Sequence, residues 1–299
     1  MDTFGEPKVG PSAASVKGPS PHCIQCAARC VSVHEPPAYP AMRPFLLPCL
    51  LLLLAAAAPP AGAAVLRVEG EALAPKGGRA LYRETHYLQD VGAQQARLVL
   101  YRCNDGRAFA RKWMPAAANA QAPDFEFVDG RDGRREAVQA QGTQRRVSIR
   151  AASGATDAAK TLDMPRGGVI DAGFDAAVRA HWSALLQGDT VALPFLLTSR
   201  QRWVPVKLRR VGAVDWQGQP AEQLQMQLDA WFGFAVPAVN LVYARADRRL
   251  LQFEGTGNVR DAGGGWPQVR IRFPGAPQPA SEGELAVART QPLVASCTR

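Results

Sequence analysis

From Val65 onward, apolar and polar residues alternate with a period of two, the pattern of half-buried strands. RALYRETHYLQ (79–89) and ARLVLYR (96–102) predict strands. The second turns at CNDGR (103–107), where Asn-Asp-Gly favours positive φ, and returns through AFARKWM (108–114). DFEFVD (124–129), a turn at GRDG, REAVQAQ (135–141) and QRRVSIRAA (144–152) extend an antiparallel meander, after which 153–168 predicts a loop. Strand patterns resume in TVALPFLLTS (190–199), WVPVKLRRV (203–211), AEQLQMQLDA (221–230), AVNLVYAR (238–245), RLLQFEG (249–255) and QVRIRF (268–273). PGAPQPASEG (274–283) predicts a Pro-rich tail.

One stretch follows the helical period instead. DAGFDAAVRAHWSALLQG (171–188) sets Phe174, Ala177, Val178, His181, Trp182 and Leu185 on one stripe. The spacing predicts a helix at about 171–187, with Asp171 as N-cap and Gly188 as its stop. The stripe must be buried, and a curved sheet offers a concave face for it. The predicted fold is therefore mainly β: a single curved antiparallel meander sheet, a half-open barrel of about eleven strands, wrapped around that one helix. Pro194 and Pro205 inside strand patterns predict edges or bulges. An outer-membrane barrel is disfavoured by the absence of aromatic girdles.

Upstream of this pattern, MRPFLLPCLLLLLAAAAPPAGAAV (42–65) has the three parts of a secretory signal: Arg43, an apolar core and Ala61-Gly62-Ala63. Pro48 and Pro59-Pro60 cut the apolar run to about half the roughly 20 residues a spanning helix needs. Residues 42–64 are expected to be a signal peptide cleaved near Ala63 or Ala64, with 65–299 a single β-rich domain in the periplasm. Residues 1–41 lack hydrophobic periodicity and are expected to be disordered, or translated upstream of a true start at Met42. That expectation demotes Cys23, Cys26, Cys30 and His34, whose spacing otherwise suits zinc.

Export alters the meaning of the charge and of the cysteines. The chain carries a formal +9; four of its 35 basic and three of its 26 acidic residues precede Val65, which leaves +8 afterwards. Outside the cell interior a nucleic-acid partner is not expected. The excess is either a solvated face or a face for an anionic membrane surface, with Arg97, Arg102, Arg145, Arg146, Arg209, Arg210, Arg270 and Arg272 on or beside strands. Cys103 and Cys297 remain after cleavage, either as one disulfide suited to an oxidising compartment or as two free thiols.

Catalytic signatures are absent: there is no G-x-S-x-G elbow, H-E-x-x-H or phosphate-cradling loop. Glu84 and His86 share a strand face and could assist acid–base chemistry, or be mere neighbours. His181, beside Trp182, reads as a core-edge or surface histidine. Asp124, Glu126, Asp129 and Asp132 are interleaved with Arg131, Arg134 and Arg135, which predicts a solvated turn and no metal site. DAWFGFAVP (229–237) crowds Trp231, Phe232 and Phe234 before a strand, as a core corner or the rim of an apolar site. No cofactor is expected.

The stretches DAGFDAAVRAHWSALLQGDTVALPFLLTSRQRWVPVKLRRVG (171–212), YRCNDGRAFARKWM (101–114) and RRLLQFEGTGNVRD (248–261) resemble a group of uncharacterised exported proteins of Gram-negative bacteria. The layout also looks like the half-open β-barrel of periplasmic lipoprotein carriers, which hold acyl chains between a curved sheet and helices. The resemblance implies a non-enzymatic periplasmic protein that binds or carries an apolar or amphipathic envelope component, such as lipid or lipoprotein. Phe174, Val178, Trp182, Leu185, Trp231, Phe232 and Phe234 would then line the site. Two alternatives stand beside this: an envelope assembly factor acting through a basic sheet face, and a hydrolase-like enzyme using Glu84 and His86.

Overall fold

A computed structural model of the protein describes residues 64–230, 233 and 237–297. Eight strands follow one another as neighbours: β1 (Val65–Leu73), β2 (Ala80–Val91), β3 (Gln94–Arg102), β4 (Ala108–Met114), β5 (Phe125–Asp129), β6 (Arg135–Gln141), β7 (Gln144–Arg150) and β8 (Ala158–Asp163). A second meander runs through β9 (Val191–Leu197), β10 (Arg202–Trp216), β11 (Gln219–Leu228), β12 (Val239–Ala244), β13 (Leu250–Thr256) and β14 (Gln268–Arg272). The two join where β1 meets β14, with Glu71 opposite Arg272, and β15 (Gln278–Ala280) pairs with the other end of β1. All of these ladders are antiparallel, so one sheet results, and it is not closed: β8 and β9 are its ends.

Alternation decides which side chains fill the interior. Tyr82, Tyr101, Phe109, Phe125, Phe127, Val138, Val147, Ile271 and Phe273 form the larger inner cluster. A bulge in β10 leaves Val211 unpaired between Arg210 and Gly212, which bends the longest strand and keeps the sheet curved. Pro194 lies on the end strand, where its carbonyl accepts from Val169 N at 2.8 Å. The donor that proline lacks would therefore point out of the sheet.

The predicted helix is two. α1 (Gly173–Ala180) and α2 (Trp182–Gln187) are separated at His181, whose φ of −100° and ψ of 12° leave the helical range. Gly188 ends α2 in the left-handed conformation at φ 96°, as expected. Asp171 is not the N-cap. Its own φ is 47°, its Oδ2 accepts from Lys112 Nζ at 2.6 Å, and Ala172 occupies the capping position. A capping carboxylate needs an extended backbone to reach the helix N–H groups, and a left-handed Asp171 turns away from them.

Two further segments differ from expectation. β8 lies inside the stretch read as a loop; its side chains are almost all exposed, so pairing with β7 makes it a strand without any apolar alternation. The region after Pro279 is not a tail but α3 (Glu282–Thr290), started by a capping box in which Ser281 and Glu284 each accept the other's backbone N–H. α3 places Leu285 and Ala288 over Tyr87, Leu98 and Leu100 on the outer face.

The free ends of the sheet approach each other without a ladder. Trp203 Nε1 donates to the Asp163 carbonyl at 2.9 Å, and Gln201 Nε2 donates to the Val147 and Ala158 carbonyls at 3.0 and 3.2 Å. Val169, in the connection between the two ends, makes a parallel bridge to Phe195 of β9. Cys103 and Cys297 form a disulfide that ties the segment after α3 to the β3–β4 turn.

Candidate functional site on the inner face

The chain between β8 and β9 delivers the helices to the inner wall of the second meander. Val178, Trp182 and Leu185 are at most 4 % exposed and pack with Leu193, Val206, Leu208, Leu224 and Leu241. Phe174 is half-buried and tilts against Phe253 at 6.3 Å between ring centroids; Trp182 meets Tyr243 edge-on at 6.1 Å. Four of the expected site residues thus share one apolar interface, in which the helix pair fills the inner wall of the sheet. Trp231, Phe232 and Phe234 lie outside the described residues.

Ion pairs that the sequence did not reveal fix the start of this unit. Lys112, on β4, is 3 % exposed; besides Asp171 it faces the rings of Phe125 and Phe127. Asp175 of α1 accepts from Arg179 at 3.0 Å and lies 3.5 Å from Arg97 of β3. The only readable signal was the Asp175–Arg179 spacing of four on a helix. Gly173 sits so close to the Gln121 carbonyl that any Cβ there would collide with it. Burial pushes the Tyr243 phenol well above its ordinary pKa of 10, and the Asp175 charge adds to the rise.

Glu84 and His86 do meet, at 2.8 Å, on the inner face of β2. Glu84 is buried, and the His86 ring lies edge-on to Phe273 at 5.3 Å. Around them burial raises the Tyr82 and Tyr101 phenols well above 10, and the Glu84 charge is the next cause for both. Two surface hollows lie elsewhere, on the outer face. One of about 510 Å³ sits among Arg67, Thr85, Tyr87 and Arg102; one of about 400 Å³ lies between Tyr87, Arg102 and α3.

The acidic turn between β5 and β6 departs from the solvated loop the sequence predicts. Asp129 is fully buried and holds Arg131 at 2.7 Å; Arg134 is 1 % exposed, pairs with Glu136 at 2.6 Å and stacks on Phe127 and Trp266. Arg131 and Arg134 also donate to the Arg260 and Asn258 carbonyls. The turn is a clamp on the β13–β14 loop.

With this geometry in view, the comparisons are few. No family model matches the sequence, and no curated protein matches it. Among the solved structures similar to this chain are a beta-barrel-like protein and a lipoprotein-sorting domain. A beta-barrel-like protein of the domain of unknown function DUF1849 from Brucella abortus covers 74% of this chain and 99% of its own, at 10% identity and a TM-score of 0.40. A domain described as an outer membrane lipoprotein-sorting protein, from Vibrio parahaemolyticus, covers 76% of this chain and 92% of its own, at 8% identity and a TM-score of 0.26.

Most of the arginines assigned to a basic face are engaged. Arg210 pairs with buried Glu222 at 2.7 Å, Arg270 with Glu254 at 2.6 Å and Arg97 with Asp175. Arg209 donates to Gln225, Arg102 to Thr85 and the Gly106 carbonyl, and buried Arg145 to the Gln144 carbonyl. Among the described residues Arg146 and Arg272 have no such partner.

Proposed function

We propose that the protein is a non-enzymatic, exported binding protein of the cell envelope, carrying an apolar or amphipathic component such as a lipid or a lipoprotein acyl chain. One observation carries this reading. The inner wall formed by Leu193, Val206, Leu208, Leu224 and Leu241 is filled by a helix pair and not by the sheet. That pair belongs to the connection between the two unpaired ends of the sheet. A filling supplied by a connection can be withdrawn without breaking a ladder, and it leaves behind a continuous apolar concavity. Phe174, Val178, Trp182 and Leu185 would then face the guest. The disulfide supports work in an oxidising compartment, in keeping with the periplasm and with cleavage near Ala63 or Ala64.

The test is native mass spectrometry of protein isolated from the periplasm, before and after organic extraction, together with titration by a fluorescent fatty acid. An extractable acyl-bearing adduct and saturable uptake are expected. An identical bare mass in both preparations, with no saturable uptake, overturns the proposal.

A further inference from the structure

Among the described cations without an ion-pair or hydrogen-bond partner, Lys76, Arg79 and Arg83 lie at or near the β1–β2 turn, and a further group of four gathers where the ends of the sheet meet. Lys160 lies in the middle of β8, Arg166 in the turn that follows it, Arg200 just before Gln201 and Arg202 just after. All four are exposed, and none has an ion-pair or hydrogen-bond partner among the described residues. They belong to one neighbourhood because Gln201 and Trp203 touch the carbonyls at both ends of β8. Gly168, in the turn carrying Arg166, lies against the Trp203 ring as well. Arg146, opposite Thr161, lies on the outer face, whereas Lys160, opposite buried Val147, is on the other face at the rim of the sheet. Of the nearby carboxylates, Asp157 is paired with Arg150, while Asp163, held by the neutral Gln144 amide, keeps its charge and offsets one of these cations. Leu197, at the end of β9 and opposite Arg202, adds an exposed apolar side chain.

We infer that this seam is a docking surface for an anionic lipid bilayer. The inference rests on the envelope reading above and names the surface through which the protein meets the membrane. Charge complementarity fixes the partner's sign, since four cations against the single Asp163 carboxylate leave the seam with a local positive potential. A flat surface fits better than an added strand of an acidic protein. Gln201 and Trp203 already occupy carbonyls at both ends of β8, so an incoming strand would have to displace them to pair there. Cations over anionic headgroups with one apolar side chain beside them are the arrangement a bilayer surface rewards.

The experiment uses the chain from Val65 onward and vesicles of equal parts phosphatidylcholine and phosphatidylglycerol, with pure phosphatidylcholine as reference. Co-sedimentation with the mixed vesicles alone is expected, weakening as salt is raised. Arg200→Gln/Arg202→Gln should weaken it about 25-fold, at about fivefold per cation. Lys76→Gln/Arg79→Gln, which removes equal charge from the β1–β2 turn, should leave it within about twofold. Unchanged near-ultraviolet circular dichroism shows that both variants fold. Equal losses from the two variants, equal binding to both kinds of vesicle, or no binding each overturn the inference. So does capture of an acidic polypeptide at the seam without vesicle binding. Fatty-acid uptake is measured without vesicles, so failure of the carrier reading is seen separately.

Discussion

Lys112 is the residue on which the attachment of α1 turns. An ammonium this deeply buried is tolerated because Asp171 and two aromatic faces replace its water. Lys112→Ala strands the Asp171 carboxylate and should cost about 3–5 kcal/mol, read as a lower urea midpoint at unchanged slope. Lys112→Met/Asp171→Asn should recover most of that loss, because no buried charge then remains. At the same scale, Tyr82, Tyr101 and Tyr243 set an alkaline limit. Their phenols titrate higher in the folded than in the unfolded chain, so their contribution is complete below about pH 10 and falls as pH rises through the folded values. Stability followed against pH should decline above about 10, together with a delayed tyrosinate absorbance step that shifts earlier in denaturant. Apart from the Asp175–Arg179 spacing, none of this was legible in the chain. Lys112, Asp171 and Asp175 are ordinary polar residues until the fold brings β3, β4 and α1 together.

At the scale of elements, legibility tracked the source of each element's stability. β4 and β6 have the predicted bounds, 108–114 and 135–141. β8 was missed because its residues AAKTLD carry no buried face, and backbone pairing at a sheet end leaves no hydrophobic trace. α3 did leave a trace that outweighs the prolines before it: Ser281 followed three residues later by Glu284. Ser281→Ala should cost about 1 kcal/mol and raise hydrogen exchange in α3 first. The break at His181 has no counterpart in the apolar stripe, which runs through it unbroken. As for the candidate site, its four helix residues were identifiable from periodicity alone, whereas what they touch was not. That three arginines counted toward a basic face, Arg97, Arg210 and Arg270, are paired with carboxylates was hidden for a related reason: cross-strand register places Glu254 opposite Arg270, a pairing invisible in a linear reading.

For the whole molecule, two covalent or side-chain ties act where the ladder does not. The disulfide spans 194 residues, and in the chain-entropy picture a loop this long is worth about 5 kcal/mol. Cys103→Ser/Cys297→Ser should lower the urea midpoint accordingly, with α3 and the segment after it losing exchange protection before the meanders do. At the seam, Trp203→Phe removes one donor and keeps the ring. Faster exchange confined to β8 is the expected outcome, and protection loss spread over β1–β7 would show that the seam organises the whole sheet.

The junction of β1 with β14 also sets an order of events in time. The first strand of the domain finds β2 at once, but its other edge waits for β14 and β15, which are made last. Each β1–β14 hydrogen bond closes a loop of almost the entire domain, a step that chain entropy makes slow. Until then a strand bound for the centre of the sheet presents an open edge, the template on which newly made chains stick to one another. Cys297 reaches Cys103 in the same final stage, so thiol oxidation serves as a clock for completion of the sheet.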